Sequence, residues 1–341
     1  MSFNIKVLER FMENRINFID YSKGIGILLV VLGHIYDGDN ILANWIYSFH
    51  MPLFFIISGF LLNFEKETRV KKLFFKRFKT LIIPYIIFCI INIVGNFILN
   101  NMSMSLLKVD ILNMNTLYGV YALWFLPALF ISEFIFLFIK NNIVIRRNKI
   151  LLYMLIFFSL LILILINKIN VNYIVVKFIT VLIRSIIALF FINIGYYSYK
   201  FINTMNPKIY QIIMLSIVSV SFALINGYVN LSGLIFNNYF LYIFNSVIGV
   251  ANIIFIAKKI RRNKILSFFG KNTLIIMATH QLILRIIINS SIINYLNGVV
   301  LMFLMLIIEY PIIITINKNL AFLIGKTKDN KNIKNLSSTP I

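Results

Sequence analysis

Several ionisable side chains lie inside long apolar runs, and they are the residues of this chain that could bind or react. The first run, from Asp20 to His34, reads DYSKGIGILLVVLGH. On an α-helix, Lys23 and His34 differ in direction by about 20° and lie about 16 Å apart along the axis, and Asp20 lies about 40° from His34. An anion held by Lys23 and a proton taken by His34 would therefore share one face. The simpler alternative is an interfacial Asp20–Lys23 cap and a histidine hydrogen-bonded within a helix bundle.

The second run, residues 47–60, reads YSFHMPLFFIISGF and adds a second histidine, His50. Two imidazoles on adjacent helices could share a proton or hold one hydroxyl, because histidine titrates near neutral pH. A hydrogen bond within the bundle is the alternative for His50. Pro52 has no amide hydrogen, so the carbonyl of Ser48 needs a neighbouring polar partner. Ser58 lacks the Gly-x-Ser-x-Gly surroundings of a nucleophile, which favours a packing or substrate-contacting role.

Further candidates lie in later runs. A charge at membrane depth costs about 2.5–3.5 kcal/mol or more, so each one indicates a functional site by default. Glu133 and His280 are candidate acid–base groups, whereas Arg77 and Lys79 end a basic segment, 65–79, that could attract a polyanionic cofactor or anionic lipid. The candidate substrate-binding residues, with Ser58, are Trp124, Arg184, Arg285 and Glu309. A buried Glu309–Arg184 ion pair is an equal alternative to a substrate role.

Composition indicates the class of protein. Of 341 residues, 60% are hydrophobic and 13% are charged, which a soluble domain could not bury. Continuous runs of about 20 apolar residues argue against a β-barrel, whose strands alternate over about 10 residues. The net charge of +22 comes from clusters between these runs, so nucleic acid is not an expected partner. Three histidines on separate runs, without metal-ligand spacing, and one cysteine, Cys89, give no reason to expect a metal.

The apolar runs predict an all-α polytopic membrane protein with about ten transmembrane helices, in a single membrane domain over residues 1–324. Residues 325–341 are expected to form a disordered, polar cytoplasmic tail. The predicted spans are 17–36, 41–63, 80–99, 119–139, 150–166, 174–196, 209–226, 236–257, 273–288 and 298–324. Basic residues concentrate in alternate loops, and the opposite loops hold only Lys108 and Lys168. The positive-inside rule therefore places both termini in the cytoplasm.

The same motifs resemble those of the membrane acyltransferase-3 family, and they occur in that family's order along nearly the whole chain. The two that match best are residues 20–34 and 49–60. The others are 76–85, 123–127 with Glu133, and 270–274 leading to His280. Many members have Arg where this chain has Lys23. The Lys-Gly version, with a histidine in the second motif, resembles the fucose 4-O-acetylase-like subgroup.

The resemblance implies an O-acetyltransferase of the bacterial plasma membrane. It would move an acyl group from cytoplasmic acetyl-CoA to a sugar hydroxyl of a lipid-linked or cell-surface glycan, modifying an envelope polysaccharide. His34 would act as general base, supported by Asp20, His50, Glu133 and His280. Membrane lipid, acyl-CoA and the glycan would be the partners. The competing hypothesis is a polysaccharide or small-molecule exporter without acyl transfer, since buried polar groups would serve that role too.

Overall fold

The structure, a computed structural model, describes residues 2–36, 40–65, 69–99, 102–141, 172–290 and 297–326. Over these residues the chain is helical, and the one β-pairing found there is an isolated bridge between Asn230 and Ile235. In chain order the helices are α1 (Ser2–Ile35), α2 (Ile41–Tyr47), α3 (His50–Leu62), α4 (Val70–Arg77), α5 (Ile83–Leu99), α6 (Met104–Asn115), α7 (Phe125–Asn141), α8 (Tyr173–Thr204), α9 (Ile209–Asn226), α10 (Tyr239–Lys259), α11 (Lys264–Lys271), α12 (Thr273–Ile288) and α13 (Gly298–Asn319).

The helices divide between two compact units. The described part of the first unit covers residues 2–36, 40–65 and 186–273. Here α1 packs against α2, α3, α10 and α11, and α9 packs against α2 and α10. Helix α1 is therefore the central element of this unit, and it carries the first of the predicted motifs.

In the second unit, the described residues are 69–99, 102–141, 172–185, 274–290 and 297–326. A π-helical segment, Phe78–Ile82, joins α4 to α5, and a 3₁₀ turn, Tyr121–Trp124, precedes α7. The π-helical segment packs against α7, and α5 packs against α6. Helix α5 also contacts a second 3₁₀ turn, Ala321–Ile324, which follows α13.

Long apolar helices confirm the predicted all-α polytopic membrane fold. Within the described ranges, eight helical segments could cross a membrane, or nine if the bent pair α11–α12 forms one broken span. Nine of the ten predicted spans coincide with these segments, while the tenth, 150–166, lies outside the described residues, as do Lys168 and the tail beyond residue 326. The third span begins at Val70 instead of 80, because the basic residues before the apolar run are helical and mostly exposed.

Asparagine side chains begin several of these helices. Asn40, Asn238, Asn263 and Asn297 each accept a hydrogen bond from a backbone amide in the first turn of the helix that follows. An asparagine at this position satisfies a donor that has no partner within the helix, which stabilises the helix by about 1 kcal/mol. These four asparagines therefore mark helix starts, a structural role that composition alone does not reveal.

Candidate active site

The candidate residues fall into two sets, one in each unit. In the first unit, α1 is continuous through the first motif, so the predicted shared face of Lys23 and His34 is confirmed. Lys23 Nζ lies 2.8 Å from Asp20 Oδ1, and the two side chains are 20% and 10% exposed. The ammonium is thus paired with a carboxylate and still reaches solvent at one side. It could meet a phosphate there as a point charge.

Helix α11 lies against α1 beside this ion pair. A Cβ at Gly270 would stand 1.9 Å from the Asp20 carbonyl oxygen, and one at Gly24 would stand 2.3 Å from the Leu266 carbonyl oxygen. Only glycine permits so close an approach at both places. The backbone amide of Asn263 also donates to the Tyr21 hydroxyl (3.1 Å). Exposed basic residues lead into and flank α11, namely Arg261, Arg262, Lys264 and Lys271, and they could bind the remaining charges of an anionic cofactor.

Both histidines of the first unit contact Tyr47. The Tyr47 hydroxyl and His34 Nδ1 are 2.9 Å apart, with ring centroids 5.7 Å apart at right angles. The same tyrosine ring meets the His50 ring edge-on at 5.0 Å. His50 Nδ1 lies 2.9 Å from the Ile46 carbonyl, which can only accept, so Nδ1 bears the hydrogen and Nε2 carries the lone pair of the neutral ring. His34 is half-buried and His50 is buried.

The break between α2 and α3 gives His50 its place at the start of α3. The Ser246 hydroxyl donates to the Ser48 carbonyl (2.7 Å), and the Asn245 amide donates to the Ser48 hydroxyl (3.0 Å). This confirms that a neighbouring polar group compensates for the missing amide hydrogen of Pro52. Ser58 lies eight residues after His50 in α3, about 12 Å along the axis. That distance separates Ser58 from the histidines, so packing is its better-supported role.

In the second unit, Arg77, a candidate cofactor contact, forms an ion pair with Glu133, a candidate acid–base group. Arg77 Nε lies 2.8 Å from Glu133 Oε2, and the side chains are 23% and 2% exposed. Arg77 ends α4 and Glu133 lies in α7, so the pair ties the basic segment to the apolar helix behind it. Lys79 follows in the π-helical segment and is exposed. Arg77 and Lys79 are therefore not equivalent, since Arg77 is engaged by a buried carboxylate.

Arg184 and Trp124 lie together in this unit. The Arg184 guanidinium is 5.1 Å from the Trp124 ring centroid and 4.3 Å from the Tyr118 ring centroid, and Nη1 donates to the Tyr118 carbonyl (2.8 Å). Arg285 is exposed and lies over the Tyr121 ring at 4.4 Å. Both arginines thus contact one short segment before α7. Tyr118 and Tyr121 are not among the candidates predicted from the sequence. Both stand within six residues before Trp124, so they could have been found as aromatic neighbours of that candidate.

The Glu309–Arg184 ion pair, one of the two alternatives for Glu309, does not form between these two described residues. Buried Glu309 instead accepts from the Thr279 hydroxyl, with its two carboxylate oxygens 2.7 and 2.9 Å away. His280, on the same helix as Thr279, is fully buried, and its Nδ1 donates to the Ile276 carbonyl (2.8 Å). The hydrogen bond from Thr279 to Glu309 stabilises α12 against α13. The hydrogen bond of His280 lies within α12, which supports a structural role for this residue. Across the described ranges, no group of three or more His, Cys, Asp or Glu side chains is placed to hold a metal.

A family model described as an acyltransferase domain (Acyl_transf_3) matches residues 16–317, which include every candidate residue above. No curated protein and no solved structure matches the chain. The matched range contains the candidate spans of the described residues apart from the last two residues of α13, so fold and family agree. The chain therefore belongs to the acyltransferase-3 family and is a multi-pass membrane acyltransferase.

Proposed function

We propose that this acyltransferase moves an acetyl group from cytoplasmic acetyl-CoA to a sugar hydroxyl of a lipid-linked or cell-surface glycan, in a bacterial plasma membrane. The observation that carries the proposal is the hydrogen bond between His34 and Tyr47, on a helix whose same face carries Lys23. This face offers a cation near one end and a candidate base near the other. Acyl transfer from a phosphate-bearing thioester needs both.

His34 is the proposed general base. If Nδ1 bears the hydrogen and donates it to the Tyr47 oxygen, Nε2 carries the lone pair and can accept the proton of the acceptor hydroxyl. The hydroxyl oxygen then attacks the thioester carbonyl carbon, forming the ester as the carbon–sulfur bond breaks. Coenzyme A leaves as a thiolate and takes the proton from the His34 imidazolium. His50, with its lone pair on Nε2, would accept a hydrogen bond from the same hydroxyl or an adjacent one.

Lys23 is the proposed contact for the donor phosphates. Its separation from His34, about 16 Å along the helix, suits a donor whose phosphates and thioester lie at opposite ends of an extended pantetheine arm. The exposed basic residues flanking α11 would add attraction for the remaining charges, screened by salt. Lysine keeps the charge of the more common arginine but forms no bidentate fork, so the phosphate contact would be a single one.

The test uses purified protein in nanodiscs with acetyl-CoA and a glycan extract from cells lacking the protein. Release of coenzyme A and the glycan O-acetyl pattern, by mass spectrometry, are the readouts. His34→Ala should lower the rate by about 10²–10⁴-fold, as for loss of a general base. His34→Asn retains a polar group near the position of Nδ1, so an equal loss in this variant separates chemistry from folding.

Two results would contradict the proposal. Near-normal turnover in His34→Ala would remove this residue from the chemistry. Failure of the wild-type protein to release coenzyme A with any glycan fraction, while glycan export in cells depends on it, would instead support the transport hypothesis.

A further inference from the structure

A short segment of the second unit, residues 117–121, has an unusual backbone. Leu117, Gly119 and Tyr121 all have positive φ, at 58°, 90° and 54°. A Cβ at Gly119 would stand 2.4 Å from the Trp124 backbone nitrogen, so this position requires glycine. Left-handed leucine and tyrosine are uncommon, and such residues concentrate at ligand sites, where surrounding contacts hold them in place.

Three cations hold this segment. Lys177 and Arg184 are seven residues apart on α8, which puts them about 20° apart in direction and about 10 Å apart along the axis. Lys177 Nζ lies 4.3 Å from the ring centroids of both Tyr118 and Tyr173, and it donates to Asn113 Oδ1. The Tyr118 ring therefore contacts Lys177 as well as Arg184, while Arg285 covers the ring of Tyr121.

The charges of this cluster do not balance. Lys177 is 3% exposed, yet its contacts are a neutral amide and two rings, and no carboxylate in the described part of the chain lies within ion-pair distance of it. Asp110 on α6 interacts with both Lys177 and Arg285. Burial raises the pKa of Asp110, and a hydrogen bond from Asn113 and attraction to the two cations partly offset that rise. One half-buried carboxylate thus serves two cations, beside a third, Arg184.

Burying cations without equal negative charge is costly in a low-dielectric setting, and a bound anion would offset that cost. Arg285 is exposed, so the cluster is open to its surroundings at this residue. Lys177 and Arg285 lie near the ends of their helices that the positive-inside rule predicts to face outward. An external ligand carrying negative charge would arrive on that side.

We propose that Lys177 and Arg285, with Arg184, bind an anionic group, a carboxylate or a phosphate, on the sugar acceptor. This inference rests on the proposed function and names its substrate class, an acidic glycan. Tyrosine and tryptophan rings beside the cations suit a sugar, whose C–H face packs on aromatic rings while its charged group meets the cations. A neutral sugar would bring no negative charge to Lys177 and Arg285, which share Asp110.

Tryptophan fluorescence offers a direct test, because Trp124 is one of two tryptophans and adjoins Arg184. A Trp45→Phe background leaves Trp124 as the sole reporter. Glucuronate, glucose 6-phosphate and glucose are titrated at two salt concentrations. At least one anionic sugar should bind ten times more tightly than glucose, and added salt should weaken its binding. The preferred anion distinguishes a carboxylate from a phosphate.

Variants assign the binding to the cluster. Lys177→Met and Arg285→Gln should each weaken binding of the preferred anion by tenfold or more, whereas Lys108→Met, at an exposed lysine on α6, should leave it unchanged. Arg285 is exposed, so its variant should fold even if the lysine variant does not. Equal binding of all three sugars, or anion binding that neither variant weakens, would overturn the inference.

The two proposals fail separately. If acetyl transfer to a neutral glycan is efficient and no anionic sugar is preferred, the acidic-acceptor inference is wrong and the proposed function stands. If anionic sugars bind as expected but coenzyme A is never released, the proposed function is wrong while the anion site stands.

Discussion

Replacing Tyr47 by phenylalanine tests whether this residue orients the proposed base. Tyr47→Phe deletes the hydroxyl 2.9 Å from His34 Nδ1 and keeps the ring whose edge contacts lie at 5.7 Å from His34 and 5.0 Å from His50. Because the ring stays, the packing of α2 against α1 should be preserved. What changes is the hydrogen-bond partner of His34 Nδ1, so the effect should appear in kcat rather than in donor affinity.

The expected magnitude follows from the loss of the hydrogen bond to His34. A hydrogen bond between neutral groups contributes about 0.5–1.5 kcal/mol net, and each 1.36 kcal/mol corresponds to a tenfold change in rate. Loss of this bond should therefore lower kcat by about 2- to 13-fold. That is far less than the 10²–10⁴-fold expected from losing the base itself. A positioning role and a catalytic role thus give separable results.

The assay is release of coenzyme A by protein in nanodiscs, with kcat, the KM for acetyl-CoA and the pH dependence of kcat measured for each variant. Tyr36→Phe is the matched control, because Tyr36 follows α1 closely and no hydrogen bond of its hydroxyl is found among the described residues. Wild-type kcat in Tyr47→Phe, or a change confined to KM, would refute the orienting role. A thousandfold loss would also refute it, since Tyr47 would then take part in proton transfer.

Four further outcomes are expected. Lys23→Ala should raise the Kd for acetyl-CoA by about tenfold or more, as for loss of a charged hydrogen bond, while Lys23→Arg retains most affinity; equal affinity in wild type and Lys23→Ala would leave Lys23 as an interfacial anchor. Gly270→Ala should cost about 1–3 kcal/mol in thermal unfolding, because its Cβ would stand 1.9 Å from the Asp20 carbonyl oxygen. Glu133→Gln should cost up to about 3–5 kcal/mol, and combining it with Arg77→Gln should cost less than the sum of the single changes; additive costs would mean that the ion pair adds no stability. Tags at residues 1 and 341 should resist external protease in intact cells, and cleavage of either would reverse the predicted topology.

Helix positions were predictable because hydropathy and helix period depend on local sequence. The face shared by Lys23 and His34 followed from eleven residues of one helix. The need of the Ser48 carbonyl for a partner followed from Pro52, also a local matter. The identity of that partner, Ser246, could not be predicted, because hydropathy does not say which helices lie side by side.

The same limit explains the errors at buried charges. A Glu309–Arg184 pair was one of two alternatives for Glu309, because opposite charges attract. Instead, a threonine on the neighbouring helix donates to Glu309, and the arginine lies over aromatic rings. Neutral hydroxyls and ring faces are too common in this sequence to stand out as partners. Tyr47 could have been found, because it precedes His50 by three residues and so lies on the same side of the second run.

The hydrogen bond from Ser246 to the Ser48 carbonyl has a consequence for how the protein is made. The two residues are 198 positions apart. At about 5–20 residues per second, synthesis of the intervening chain takes roughly 10–40 s. Throughout that interval the α2–α3 segment has left the ribosome without its partner on α10, and a carbonyl without a partner in lipid costs several kcal/mol. The first helices should therefore stay in the translocon or at the membrane surface during this interval. The arrangement of His34, Tyr47 and His50 should form only once α10 has been inserted.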